Sequence, residues 1–252
     1  MKSAALHSIK VRTARLAARF DPRLARVTWI GHSTVLLELD GVRLLTDPVL
    51  RPRVFHLRRV GAPAADIGPV DAILISHGHY DHLDSKSLAR FDRATRVIAP
   101  KRVRSFADVA EVAAGDEVAV GAVTVKATPA EHVRGSVGFL VTGSARIYFA
   151  GDTDVFDGMR ELAPVDVALL PIAGWGPRVP PGHLDPGRAA QALELLQPRI
   201  AVPIHWGTYT RIGLKRDEQE PARRFAELAA RFDVRVLPVG GSLDVPVEAV
   251  VR

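Results

Sequence analysis

Within the run His77-Gly-His-Tyr-Asp-His82 stand four side chains that can each offer a lone pair to a metal ion. His77 and His79 are two residues apart, so an extended backbone turns both imidazoles to one side, where they can share one ion. Asp81 and His82 follow in the turn and can face a second ion beside the first. Imidazole nitrogen with carboxylate oxygen is the donor set of zinc and of other borderline first-row metals. At this chain's own His and Asp frequencies, the pattern His-x-His-x-Asp-His arises by chance in only about one sequence in a thousand. Cysteine is absent, which removes thiolate ligands, disulfides and a cysteine nucleophile together. The chemistry on offer is hydrolysis: metal coordination brings the pKa of water down toward neutrality, and the same ions polarise a carbonyl or phosphoryl oxygen.

Four ligands on one loop do not complete two sites, so others must converge from elsewhere. The chain has nine histidines, which can be ranked by context. His132 follows a strand-like run over residues 123–128, Asp152 follows a buried run in Ala150-Gly-Asp-Thr153, and His205 ends an apolar run over 200–204. All three stand at strand ends, where side chains from distant segments meet on one rim. Asp47, just before Pro48, could hold a ligand imidazole from behind or serve only as a turn residue. His183, in a Pro/Gly-rich loop, could bind substrate and protonate a leaving group, or lie exposed in its loop. Arg134 could meet a substrate phosphate, though a solvated arginine is the favoured reading, and Trp175, with Tyr80, Trp206 and Tyr209, could line a pocket, core packing being at least as good an account of Trp206. His32 reads as structural near the site, while His7 and His56 have no assigned role.

The elements that must position these residues are short, apolar, β-branched runs bounded by turn residues. Strands are expected over 27–30, 35–39 and 42–46, the last two joined by the hairpin signal Asp40-Gly41. A proline-rich loop leads to a buried strand over 71–76, which carries the histidine cluster. Asp84 can N-cap a helix over 85–91, followed by a strand at 97–99 and a short helix over 101–109. A hairpin over 117–127 turns at Gly121-Ala122. Strands follow over 137–141, 146–150, 167–171, 200–204, 234–238 and 243–245, with helices over 156–162, 186–196 and 220–232. Two runs of strands, each passing into strand–helix alternation, imply an α/β protein with two packed sheets and helices outside. A single domain over 27–252, preceded by a basic segment over 1–26, is the simplest division.

Composition agrees with a soluble, well-folded chain: 252 residues, 47% hydrophobic, with 18 Pro and 20 Gly. Nothing approaches the roughly 18 consecutive apolar residues of a membrane-spanning helix. The net charge of +6 is carried entirely by residues 1–26, which hold seven Lys/Arg against one acid. That segment can form an amphipathic helix with Ile9, Leu16, Phe20 and Leu24 near one face. Docking on its own domain is favoured over contact with a membrane surface. The balanced remainder gives no support for nucleic acid as a partner. Without the continuous apolar core of a secretion signal, a cytoplasmic location is expected.

The order of motifs resembles the metallo-β-lactamase fold of dinuclear hydrolases. Trp29-Ile-Gly-His-Ser-Thr34, Leu45-Thr-Asp-Pro48, Ile75-Ser-His-Gly-His-Tyr-Asp-His82, Pro129-Ala-Glu-His132, Tyr148-Phe-Ala-Gly-Asp-Thr153, Ala168-Leu-Leu-Pro-Ile172 and Pro203-Ile-His-Trp-Gly-Thr208 are similar to the branch containing N-acyl-phosphatidylethanolamine phospholipase D. The ascorbate-6-phosphate lactonases look like more distant relatives. The resemblance implies an αββα sandwich of two mixed sheets with the ions at one edge. It places His77, His79 and His132 on one divalent ion and Asp81, His82 and His205 on the other, with Asp152 bridging. Zinc is the first expectation for both ions, with manganese or iron as alternatives. It further implies a metal-bridging hydroxide as nucleophile, with Asp81 orienting it and His183 near the substrate.

Two divalent ions, two ligand carboxylates and one hydroxide leave roughly one net positive charge, which favours an anionic substrate. A phosphodiester of the phospholipase D kind is the first expectation, and a lactone or carboxylic ester the alternative. A nuclease is less favoured because residues 27–252 are neutral overall. A non-catalytic protein with structural metal is less favoured because such sites are closed by protein ligands. Residues 100–114 are charged and poor in aromatics, unlike the apolar entrance that the phospholipase resemblance implies, which argues against a lipid substrate.

Overall fold

A computed structural model describes residues 24–64, 66–101, 103 and 109–247. The amphipathic reading of the first 23 residues, with His7, lies outside the described residues. So does most of the helix expected over 101–109.

Strand β1 (Leu24–Gly31) begins three residues earlier than expected, so Leu24, Ala25 and Arg26 belong to a sheet. It is followed by β2 (Thr34–Leu39), β3 (Val42–Thr46), β4 (Arg53–Val54), β5 (Leu57–Arg59) and β6 (Ala72–Leu74). The short helix α1 (Ser85–Leu88) leads to β7 (Arg96–Pro100), β8 (Val109–Val112), β9 (Glu117–Val120), β10 (Val123–Pro129), β11 (Val137–Thr142) and β12 (Arg146–Phe149). After a 3₁₀ turn (Asp157–Leu162) come β13 (Val167–Pro171), α2 (Pro186–Leu196), β14 (Ile200–Ile204), β15 (Tyr209–Arg211), α3 (Glu220–Leu228) and β16 (Ser242–Pro246).

Seven strands form one sheet in the order β16-β1-β2-β3-β6-β7-β8, and six form the other in the order β14-β13-β12-β11-β10-β9. Both are mixed. The steps β3–β6–β7–β8 and β12–β13–β14 are parallel, the others antiparallel. Period-two alternation explains the layering. Val35, Leu37 and Leu39 of β2, Leu44 of β3 and Leu74 of β6 face Phe139, Val141, Ile147 and Phe149 across the inter-sheet core. Leu36, Leu45, Ile73 and Ile75 point the other way, into a second cluster with Leu88 and Val97. Helix α2 covers the outer face of the six-stranded sheet through Ala189, Ala192, Leu193 and Leu196, and α3 packs beside it. This is the expected αββα sandwich, with α1 and loops as the described cover on the outside of the seven-stranded sheet.

Strand direction sets where chemistry can occur. β1, β3 and β6 run the same way in one sheet, and β10, β12, β13 and β14 do so in the other. Their carboxyl ends gather at one rim, the place where sheets of this kind bind ligands. None of the described helices is long and apolar enough to cross a membrane.

Four expectations differ from the structure. A third, small sheet, β15-β5-β4, fills the loop read as merely proline-rich. Residues 234–238 form no strand, and only Val234 bridges Ala201 at the sheet edge. α3 ends at Leu228, four residues short of the expected helix, and α1 stops at Leu88.

Candidate metal centre

Asp47, His32 and His205 each stand one residue beyond a strand of the rim, and all three have left-handed backbone, with φ of 32°, 57° and 62°. For a non-glycine residue that conformation costs about 1–2 kcal/mol. It breaks each strand and turns the side chain inward over the rim. Gly151, at φ 62°, does the same before Asp152. A Cβ there would stand 2.7 Å from Ser76 Cβ, so only glycine lets β12 pass the histidine loop this closely.

Two donor clusters result. In one, His79 Nδ1 lies 3.0 Å from His77 Nε2 and 3.2 Å from His132 Nε2. In the other, His82 Nε2 and His205 Nε2 are 3.1 Å apart, and each is 3.8 Å from Asp81 Oδ2. Asp152 lies between the clusters. Its Oδ2 is 3.1 Å from His82 Nε2 and 3.8 Å from His77 Nε2, while Oδ1 is 3.3 Å from His205 Nε2. A tetrahedral ion with bonds of about 2.1 Å sets its ligand atoms roughly 3.4 Å apart. The observed separations bracket that value.

Hydrogen bonds on the outer side of the cluster fix the tautomers. His82 Nδ1 is 2.8 Å from Asp47 Oδ2, His205 Nδ1 is 2.7 Å from the Ala173 carbonyl, and His132 Nδ1 is 2.8 Å from the Gly182 carbonyl. Carboxylates and carbonyls only accept, so each Nδ1 carries the proton and each Nε2 presents a lone pair. Ser76 Oγ donates to Asp47 Oδ2 at 2.6 Å and therefore accepts from His77 Nδ1 at 2.9 Å, which fixes His77 the same way. Facing lone pairs at 3.1 Å repel unless a proton or a metal cation sits between them. Asp152 Oδ1, buried with no hydrogen-bond donor, has the same need. The residues present fit divalent ions.

Ionisation agrees. Burial alone would raise the Asp152 and Asp81 carboxyls. The imidazoles around them, His205 and His82 at Asp152, His82 and His32 at Asp81, hold both well below the usual carboxylate range. Burial lowers His77 and takes His205 down to about 3, so both keep their lone pairs at neutral pH. Burial also opposes a charge on His82, but Asp152 and Asp81 outweigh it and raise its pKa well above the ordinary range. The carboxylates call for positive charge at the spot where an ion would supply it.

Every expected ligand is thus brought to the rim: His77, His79, His132, Asp81, His82, His205 and Asp152. Asp47, fully buried, reaches His82 directly and His77 through Ser76. His183 joins the cluster with Nε2 3.3 Å from Asp152 Oδ2 and Nδ1 3.2 Å from the Pro181 carbonyl. The Trp175 indole N–H donates to Asp81 Oδ2 at 3.0 Å. Arg134 is exposed and has no described hydrogen bond or ion pair to the site. Trp206 and Tyr209 are core residues: Trp206 stacks on Trp29 with ring centres 5.0 Å apart, and the buried Tyr209 hydroxyl donates to the Val49 carbonyl at 3.2 Å.

Sequence reasoning missed the hairpin of β4 and β5. Its turn carries Phe55, 72% exposed, and His56. The Phe55 ring is 5.0 Å from Tyr80, and His56 meets the Tyr80 hydroxyl at 3.2 Å and the Trp175 ring at 5.0 Å. Of these four rings, Trp175 reaches Asp81 directly and Tyr80 precedes it in the chain. The contact of His32 with Asp81, at 3.2 Å, was also not foreseen.

Comparison with known proteins places this geometry in context. Residues 42–206 match the family model described as a beta-lactamase superfamily domain. The chain is 33% identical over 245 residues to a UPF0173 metal-dependent hydrolase of Methanopyrus kandleri, covering 87% of this chain and 99% of that protein. It is likewise 33% identical over 251 residues to a UPF0173 metal-dependent hydrolase of Aeropyrum pernix, covering 88% and 98%. The solved structure of Igni18, a metallo hydrolase from Ignicoccus hospitalis, shares the fold with a TM-score of 0.68 at 24% identity, covering 89% of this chain and 100% of that one.

Proposed function

The chain belongs to the beta-lactamase superfamily, in its UPF0173 family of metal-dependent hydrolases, and we propose from that premise that it is a two-ion phosphodiesterase. The reading rests on Asp152, one carboxylate facing His77 of one donor cluster and both His82 and His205 of the other. Divalent ions held there, zinc first by donor set, supply a water deprotonated at neutral pH and polarisation of a phosphoryl oxygen.

The chain's own residues do the rest. His77, His79 and His132 would hold one ion and Asp81, His82 and His205 the other, with Asp152 placed to serve both. Asp47, Ser76 and the carbonyls of Ala173 and Gly182 keep the ligand lone pairs pointed inward. The two ligand carboxylates neutralise only about half the charge of two divalent ions, so an anionic substrate is drawn in.

His183 faces an acceptor at each ring nitrogen, the Pro181 carbonyl and Asp152. It therefore carries a proton that it can pass to a leaving-group oxygen. Phe55, His56, Tyr80 and Trp175 wall one side and suit a flat, apolar substituent on the ester.

The test is turnover of bis(p-nitrophenyl) phosphate beside a small lactone and an aryl carboxylic ester, with Asp152→Ala and His205→Ala for comparison. Diester cleavage that disappears in both variants is the expected result. Turnover of the lactone or aryl ester without the diester would replace the phosphodiesterase reading with the carboxylic one.

A further inference from the structure

His32 is 1% exposed and is not among the residues assigned to either ion. Its Nε2 lies 3.2 Å from Asp81 Oδ2, the same oxygen that accepts the Trp175 indole N–H. The strained backbone at φ 57° is held from three directions. The His32 N–H donates to Thr208 Oγ1 at 2.9 Å, and its carbonyl accepts the Trp29 indole at 2.8 Å and the His205 backbone N–H at 3.0 Å. Such a fixed, unfavourable conformation calls for a reason at the side chain.

Ring spacing decides what that reason is. Two imidazoles on one tetrahedral ion, with bonds of about 2.1 Å, have ring centres roughly 5 Å apart. His82 and His205 are 5.1 Å apart, and the pairs among His77, His79 and His132 are 4.6, 4.8 and 5.0 Å. His32 lies only 3.9 Å from His205, tilted by 34°, which is a stacking contact too close for two ligands of one ion. Its nitrogen is aimed at Asp81 instead. We propose that His32 is a positioning residue for the second ion: with Trp175 it clamps Asp81 Oδ2 between two N–H donors and aims that carboxylate at the space before His82 and His205.

The inference rests on the two-ion reading above, and its test reads metal binding, not turnover. Metal-stripped wild type, His32→Phe and His32→Gln would be titrated with Zn²⁺ against a competing chelator. Phenylalanine keeps the ring that stacks on His205 and removes the donor, whereas glutamine restores an N–H near the original Nε2. The expected result is a loss of about 10–100-fold in one of the two binding steps for His32→Phe, the other step unchanged, and near wild-type behaviour for His32→Gln. If His32→Phe lowers the thermal midpoint, Trp175→Phe removes the partner donor on the same oxygen and must show the same selective loss. Two unchanged steps in His32→Phe, equal loss in both steps, or a glutamine variant as weak as the phenylalanine one would each overturn the proposal. Fewer than two Zn²⁺ bound by the wild type would instead overturn the two-ion reading and this inference with it.

Discussion

Replacing Asp47 by asparagine exchanges a single oxygen for an NH₂ group, yet it should disturb both ion sites. The carboxylate accepts from Ser76 N at 2.7 Å, from Ser76 Oγ at 2.6 Å and from His82 Nδ1 at 2.8 Å. The backbone N–H of Ser76 cannot reverse its role, so the asparagine oxygen must stay opposite it. The new NH₂ then faces Ser76 Oγ and His82 Nδ1. His82 can meet a donor only by giving up its Nδ1 proton, and that proton moves to Nε2, where the ion requires a lone pair. Ser76, made an acceptor from the amide, turns its own hydrogen toward His77 Nδ1 and inverts that imidazole as well. The lost charge-assisted hydrogen bond is worth about 1.5–3 kcal/mol, which at 1.4 kcal/mol per decade is roughly 10–150-fold in Zn²⁺ affinity. The fold should survive, because the substitution removes a buried charge that burial itself disfavours: it raises the Asp47 carboxyl above the usual range. Chelator-competition titration of the stripped variant measures the effect. Zn²⁺ affinities within threefold of wild type at both steps would refute the tautomer argument.

Three further expectations follow from the same geometry. Burial opposes a charge on His183, but Asp152 and the Pro181 carbonyl raise its pKa, so the protonated form persists above the ordinary 6.5. Turnover should therefore fall as pH rises and His183 loses the proton it would give the leaving group. His183→Gln should lose the basic limb and about a hundredfold in kcat, and identical pH profiles would exclude His183 as the proton donor. Gly151→Ala must push β12 off Ser76, displace Asp152 and weaken both Zn²⁺ steps, whereas an unchanged titration would show that the close approach is not needed. Asp84 caps α1 through Ser87 N at 3.0 Å and pairs twice with Arg51, at 2.9 and 2.8 Å, so Asp84→Asn should cost about 2 kcal/mol and lower Tm by roughly 4–8 °C. Burial raises the Asp84 carboxyl, but Arg51 and Ser87 outweigh it and lower the pKa. The stabilisation is thus present above the unfolded value and lost as pH falls through the lower folded one. A variant melting with the wild type at neutral pH would contradict this.

The candidate ligands were legible because each stands in or beside a strand-end motif whose apolar run announces the strand. Direction along the sheets then brings His77, Asp152 and His205 to one rim without further information. Much of the supporting structure was hidden. β4 and β5 span two and three residues, too short for any periodicity, so the Phe55–His56 turn between them left no signal beyond a polar loop. The left-handed backbone at His32, Asp47 and His205 is carried by residues other than glycine, and sequence pattern does not reveal it. Trp206 and Tyr209 flank a site segment, but adjacency in sequence does not say which side of the rim a ring faces, and both turned into the core. Residues 234–238 alternate like a strand, yet beside β14 only Val234 makes a sheet contact.

The most direct test of the account is the metal content of the purified protein, measured on the same samples as bis(p-nitrophenyl) phosphate turnover. Wild type and Asp152→Asn would be compared. Two divalent ions are expected per wild-type chain, with turnover that tracks occupancy. Asp152→Asn should bind both ions more weakly and lose most activity, since one carboxylate faces both donor clusters. A wild type fully active with one ion, or an Asp152→Asn protein that keeps two ions and its turnover, would contradict it.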